Sequence, residues 1–142
     1  MLRKIIGILI VVAIVGGGVA YYLWNKPHKT AEGEKPVATL TADALIEEYS
    51  GDIPGSNSKY LEKVLEINGT VSTIGTSEMS ETKISLQTNA TDELGLPSNI
   101  TFIMKQGEKT DDIKEGTTIA LKGICTGYNT DVEFKQAVVV HK

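Results

Sequence analysis

The hydrophobic and polar positions of the chain fall into three regimes. From Ile5 to Trp24, twenty residues pass without a charge. At 1.5 Å rise per residue, a helix of that length spans roughly the 30 Å hydrocarbon core of a bilayer. Residues 25–38 are polar and carry Pro27, Gly33 and Pro36, the composition of an extended, flexible tether. The third regime starts near Leu40. Leu45 and Tyr49 share a helical face with Ile46 beside them, and Thr41 stands where an N-cap would, with Asp43 in the first turn. Leu40 and Leu45 have the spacing of a hydrophobic staple. Gly51, Pro54 and Gly55 then interrupt the pattern, so Asn57 to Lys63 is either a second short stretch of helix or a lead-in loop.

Beyond Lys63 the period changes from 3.6 to 2. Leu65, Ile67, Gly69 and Val71 alternate with polar residues, the mark of a half-buried strand. Ile84 and Leu86, alternating with Lys83, Ser85 and Gln87, give a second strand; Ile100, Phe102 and Met104 give a third. Thr110 to Lys114 reads as a single helical turn ended by Gly116. Ile119, Leu121, Gly123 and Cys125 keep one parity in a fourth strand. A fifth runs from about Val132 to Val140, and its apolar positions change parity, which predicts a bulge near Gln136. The first and fourth strands each carry a glycine at mid-length, where a strand bends or another backbone comes close. Five strands in about 80 residues, two of them bent, predict a five-stranded Greek-key OB-fold barrel. The class is all-β with minor helix: residues 39–142 form the barrel with a short helix before it, behind a transmembrane helix over 5–24.

Charge refines the picture at both ends. Arg3 and Lys4 precede the apolar run, and Tyr21, Tyr22 and Trp24 close it as an aromatic belt would. The positive-inside bias places residues 1–4 in the cytoplasm and the C-terminal domain outside. The same segment also fits a cleaved signal peptide, with Gly18-Val19-Ala20 as the cleavage site. Both readings export the domain. The chain carries 14 basic and 18 acidic residues, of which residues 1–36 hold five and two; the remainder keeps nine and 16, a net charge of −7. Such a domain repels phosphate backbones.

Several short blocks carry a family resemblance: Tyr22-x-Trp24-Asn25-Lys26-Pro27-His28, Leu40-Thr41-Ala42-Asp43-x-Leu45, Asn57-x-Lys59-Tyr60-Leu61-x-Lys63-Val64 and Glu66-Ile67-x-Gly69-x-Val71. The last is Lys122-Gly123-x-Cys125-Thr126-Gly127-Tyr128, followed by Asp131-Val132. With them the chain resembles the tRNA-anticodon-like OB-fold family of small bacterial membrane-anchored or secreted proteins. The resemblance implies an OB-fold and a bacterial envelope setting. It implies little about the ligand, because the family name records a likeness of fold.

Candidate chemistry is sparse. His28 and His141 are far apart in sequence, and no Cys-x-x-Cys or His-x-x-x-His spacing occurs, so neither a metal nor a cofactor is expected. Cys125 stands alone and shares its parity with apolar residues, which predicts a buried, inert thiol. No base stands near a candidate nucleophile, and no enzymatic activity is expected. Tyr128, Asp131 and Glu133, around the loop between the fourth and fifth strands, are the candidate ligand-binding residues at one barrel mouth. The expected function is a non-enzymatic, exported OB-fold binding module tethered in the bacterial inner membrane by a single pass, with a protein or an envelope glycan as partner. The alternatives are a single-stranded nucleic-acid-binding domain and a small-ligand or cofactor carrier. An exposed aromatic with converging lysines on the second and third strands would favour nucleic acid; a neutral or acidic face would not.

Overall fold

A computed structural model describes residues 1–25, 30–91 and 95–141. His28 and its neighbours Lys26, Pro27 and Lys29 lie outside these, as does Lys142. The apolar segment is one continuous helix, α1 (Leu2–Trp24), none of whose residues is buried. Its mean hydropathy of 2.4 over 18 residues makes it long and apolar enough to cross a membrane. Tyr21, Tyr22 and Trp24 are all exposed at its C-terminal end.

The remainder follows the order β1 (Ala38–Thr41), α2 (Ala42–Gly51), α3 (Ile53–Tyr60), β2 (Val64–Thr76), β3 (Thr82–Thr91), β4 (Pro97–Met104), β5 (Thr118–Tyr128) and β6 (Val132–Val139). Thr41 caps α2 as its sequence position predicts, its Oγ1 accepting from the Ala44 amide at 3.2 Å. Of the ambiguous stretch before β2, Asn57 to Tyr60 is the second half of α3, and Leu61 to Lys63 form a turn into β2. Asp52 caps α3 by accepting from the Gly55 amide at 3.0 Å, and Pro54 sits in the first turn, where its missing N–H costs nothing.

Strands β2 to β6 close a five-stranded barrel in the order β2-β3-β4-β6-β5-β2, with β4 and β6 parallel and the other pairs antiparallel. Closure depends on β2 serving two partners. Residues 64–70 pair with β5, and residues 71–76 pair with β3 after a register shift between Val71 and Thr73. The turnover falls beside Gly69, where a Cβ would lie 3.1 Å from the Ala42 Cβ and 3.2 Å from Leu86 Cδ1. Gly123 plays the corresponding part on β5, where a Cβ would lie 3.1 Å from the Phe134 Cβ. The fifth predicted strand carries its bulge at Gln136, whose φ is +52°. Phe134 and Ala137 therefore both face the interior, with registers to Phe102 and Met104 on β4. The interior is filled. Phe102 and Phe134 stack with centroids 4.5 Å apart, among Leu65, Ile67, Ile84, Leu86, Ile100 and Leu121.

Three features differ from the sequence expectations. Thr110 to Lys114 is not a helical turn but part of two successive turns, closed by Ile113 N–H to Thr110 O at 3.0 Å and Thr117 N–H to Lys114 O at 3.2 Å. Gly116, at φ +84°, ends the excursion. Ala38–Thr41 is a sixth strand, paired parallel to Leu65–Asn68 along the edge of β2 that β3 leaves free. The expected tether is not free along its whole length either. From Ala31 onward it lies against the barrel: Ala31 is fully buried in a separate cluster with Val64, Ile124 and Val138. Lys122 Nζ donates to the carbonyls of Glu32 at 3.2 Å and Glu34 at 3.0 Å, and the Val37 amide reaches Val64 O at 2.8 Å. The physical reason is that Val64, Ile124 and Val138 are apolar side chains outside the barrel core that need a cover.

Candidate functional site

At the end of the barrel where the β5–β6 loop lies, α2 occupies the mouth. Leu45, Ile46 and Tyr49 are buried against the core, and the Asp43 carboxylate accepts from Asn89 N–H at 2.7 Å and Nδ2 at 3.1 Å. Three tyrosines gather under this cap. Tyr49 stacks on Tyr128 at 6.1 Å between centroids and lies 6.4 Å from Tyr60 in a tilted arrangement. Tyr60 donates to Glu48 Oε2 at 2.9 Å, and Lys59 reaches the same oxygen at 2.8 Å, tying α3 to α2. These bonds, that from Lys59 foremost, hold the Glu48 carboxyl below the usual carboxylate range.

The three residues expected around the loop are placed apart. Tyr128 turns its ring inward onto Tyr49. Asp131 Oδ1 accepts from the Asn99 amide at 3.2 Å, joining the loop to β4. Glu133 is exposed on the outer face of β6, between the buried Val132 and Phe134.

Cys125 lies under the same cap, fully buried, with Sγ 3.4 Å from the Tyr49 hydroxyl. Burial pushes the thiol pKa up, against the opposing pull of the Tyr49 bond; burial likewise raises that of Tyr49. A protonated, enclosed thiol is a poor nucleophile. Cys125→Ala is expected to cost about 1 kcal/mol. Thiol reagents should label the native domain slowly and the urea-unfolded domain fast; equal rates in both states would mean that the site opens readily.

The outer face of β2, β3, β4 and β6 has a different character. Its side chains include Ser72, Thr73, Ser85, Gln87, Asn99 and Thr101, with Lys83 and Glu133 as exposed charges. Ser85 Oγ meets Thr101 Oγ1 at 3.3 Å, and Ser72 Oγ donates to Ser85 O at 3.1 Å. Thr101, in the middle of this face, is only 2 % exposed, and its hydroxyl has a partner in Ser85. This is the face of the second and third predicted strands, on which an exposed aromatic with converging lysines would have favoured nucleic acid. No aromatic stands on it. All five aromatics beyond α1 are accounted for: Tyr49, Tyr60, Phe102 and Phe134 are buried, and Tyr128 is half-buried against Tyr49.

A cleft of about 520 Å³ opens beside residues 30–37, lined among others by Glu32, Glu108, Lys109, Lys122 and His141. Its polar groups are mostly engaged. Glu32 pairs with Lys105, Glu108 Oε1 accepts from the Val139 amide at 2.9 Å, and Lys122 holds the two carbonyls described above. Among the described residues, no three His, Cys, Asp or Glu side chains come together as metal ligands. In the turns before β5, where Asp111, Asp112 and Glu115 lie close in sequence, Glu115 Oε1 accepts from the Ile74 amide at 3.4 Å.

The fold has solved relatives. A crystal structure from Klebsiella pneumoniae subsp. pneumoniae, described as a "putative nucleic acid-binding lipoprotein", superposes with a TM-score of 0.57 at 17% identity, covering 72% of this chain and 91% of the other. The yeast Stn1 and Ten1 structure matches at a TM-score of 0.40 and 18% identity, over 82% of this chain and 68% of the other. The first is a likeness of fold. No curated protein matches the sequence. A family model does, over residues 1–138, and the chain belongs to the tRNA_anti-like family.

Proposed function

We propose that this chain is a non-catalytic, membrane-tethered OB-fold module, single-pass in the bacterial inner membrane with its N-terminus inside, that binds a protein partner on the exported side through the outer face of β3 and β4. One observation carries the reading: every aromatic ring of the domain is turned inward, so the sheet face on which OB-folds stack bases offers hydroxyls and amides instead. The same absence of a ring leaves a sugar nothing to stack on, which favours protein over envelope glycan. Nucleic acid is the competing ligand, and the description of the Klebsiella neighbour points that way. The net charge of −7 beyond residue 36 opposes it. The packed barrel interior disfavours a small-ligand or cofactor carrier that would hold its cargo inside the barrel.

A photo-activatable residue at Gln87, on the exposed face of β3, tests the reading in native membranes, with Thr126 on β5 as the control position. The expected result is a discrete adduct from Gln87 and none from Thr126, digested by protease and resistant to nuclease and muramidase. A nuclease-sensitive adduct would replace the protein by nucleic acid; a muramidase-sensitive one would replace it by glycan.

A further inference from the structure

We infer that the segment from Thr30 to Val37 is an orientation clamp, which keeps the β3 face of the barrel from turning onto the bilayer. The inference rests on the membrane-tethered reading and adds to it which face is kept off the membrane.

The clamp is built from unlike contacts at successive positions. Ala31 is fully buried against Val64, Ile124 and Val138. Glu32 gives its carboxylate to Lys105 and its carbonyl to Lys122, and Glu34 gives a second carbonyl to the same lysine. Val37 bonds to Val64 O, and β1 follows at once in register with β2. The segment is thus fastened to the outer surface where β2, β5 and the end of β6 meet. In a ring of five strands ordered β2-β3-β4-β6-β5, the strand opposite the β5–β6 pair is β3.

Chain length then limits how the domain can turn. Seven residue steps separate Trp24, at the aromatic end of α1, from Ala31. Fully extended, they span at most about 25 Å. A domain of this size has a radius of gyration of about 13 Å, which for a solid sphere is a diameter of about 34 Å. To bring β3 to the bilayer, the clamp would have to stand about 34 Å from the surface, farther than the connection reaches. A docked clamp therefore forbids that pose. A free tether from residue 25 to residue 38 would have allowed it.

The test uses the full chain with Cys125→Ala in nanodiscs carrying an energy-transfer acceptor on the lipid headgroups, and a donor dye at Lys135→Cys or at Gln87→Cys. Lys135 lies opposite Ile124 on β6 and Gln87 lies on β3, both exposed. Transfer from position 135 is expected to exceed that from position 87 by about twofold or more, given a domain wider than its connection. Inserting fifteen Gly/Ser residues after Asn25 lengthens the reach to about 75 Å without touching the folded unit, and should bring the two positions close to equality. Equal transfer without the insertion would overturn the clamp. Unequal transfer that survives the insertion would also overturn it, since the barrel would then be orienting itself on lipid. A chain that fails to co-elute with the nanodisc would overturn the membrane tether, and is read separately from either result.

Discussion

Gly123→Val is expected to lower the thermal unfolding midpoint of the domain by about 10–20 °C, from a cost of ~2–3 kcal/mol at about 4–8 °C per kcal/mol. A Cβ at this position would lie 3.1 Å from the Phe134 Cβ, 3.3 Å from the Ala137 Cβ and 3.4 Å from Phe102 Cδ1. These are not the free ends of flexible side chains. Two are Cβ atoms fixed to the β6 backbone on either side of the Gln136 bulge, and the third belongs to a ring already stacked at 4.5 Å. Even one methyl requires its neighbours to give way by tenths of an ångström. Valine adds two more into a core without slack, which forces side chains off their rotamers or parts β5 from β6. Gly75→Val is the contrast. It also places valine on a barrel strand, but its Cβ meets nothing within 4 Å, so the change should stay within about 0.5 kcal/mol of neutral. Thermal melts of both variants by circular dichroism check the pair; equal midpoints would remove the close-approach role given to Gly123.

The parts of the fold legible in the sequence were those with a local cause. Alternation in Leu65–Val71, Ile84–Leu86 and Ile119–Cys125 marks one wet and one dry face, so strands and parity could be read residue by residue. The mid-strand glycines marked β2 and β5 as the strands that turn the barrel corner, and the change of parity after Phe134 marked the bulge. Thr41 announced the helix that follows it. What escaped depends on surfaces made only after folding. Ala38 and Leu40 alternate over four residues, too few to show a strand, and they pair because β3 leaves β2 with an open edge. The clamp presents a single alanine to the barrel; most of its other fasteners are backbone groups that any residue supplies, and its one side-chain pair joins Glu32 to the distant Lys105. The candidate site was read partly. Cys125 proved buried where its parity put it. Tyr128, Asp131 and Glu133 are neighbours in the chain, but strand alternation and the Tyr49 ring under α2 send them to separate surroundings.

Binding to single-stranded nucleic acid should be absent at physiological salt. This is the other large expected effect and the most direct test of the reading of the β3–β4 face. Sequence-independent binding of that kind draws on phosphates neutralised by converging lysines and on bases stacked upon exposed rings. Here the ring count on the face is zero. Its one exposed lysine is Lys83, and the same face carries the exposed carboxylate of Glu133. The domain as a whole carries seven net negative charges. The measurement is an anisotropy titration of fluorescent single-stranded DNA and RNA with the full chain in zwitterionic nanodiscs, at two salt concentrations. The account predicts no saturation, with any Kd weaker than about 10⁻⁴ M and little dependence on salt. A micromolar Kd that weakens steeply as salt is raised, and that is lost in Lys83→Ala, would contradict it and make this chain a nucleic-acid-binding OB domain.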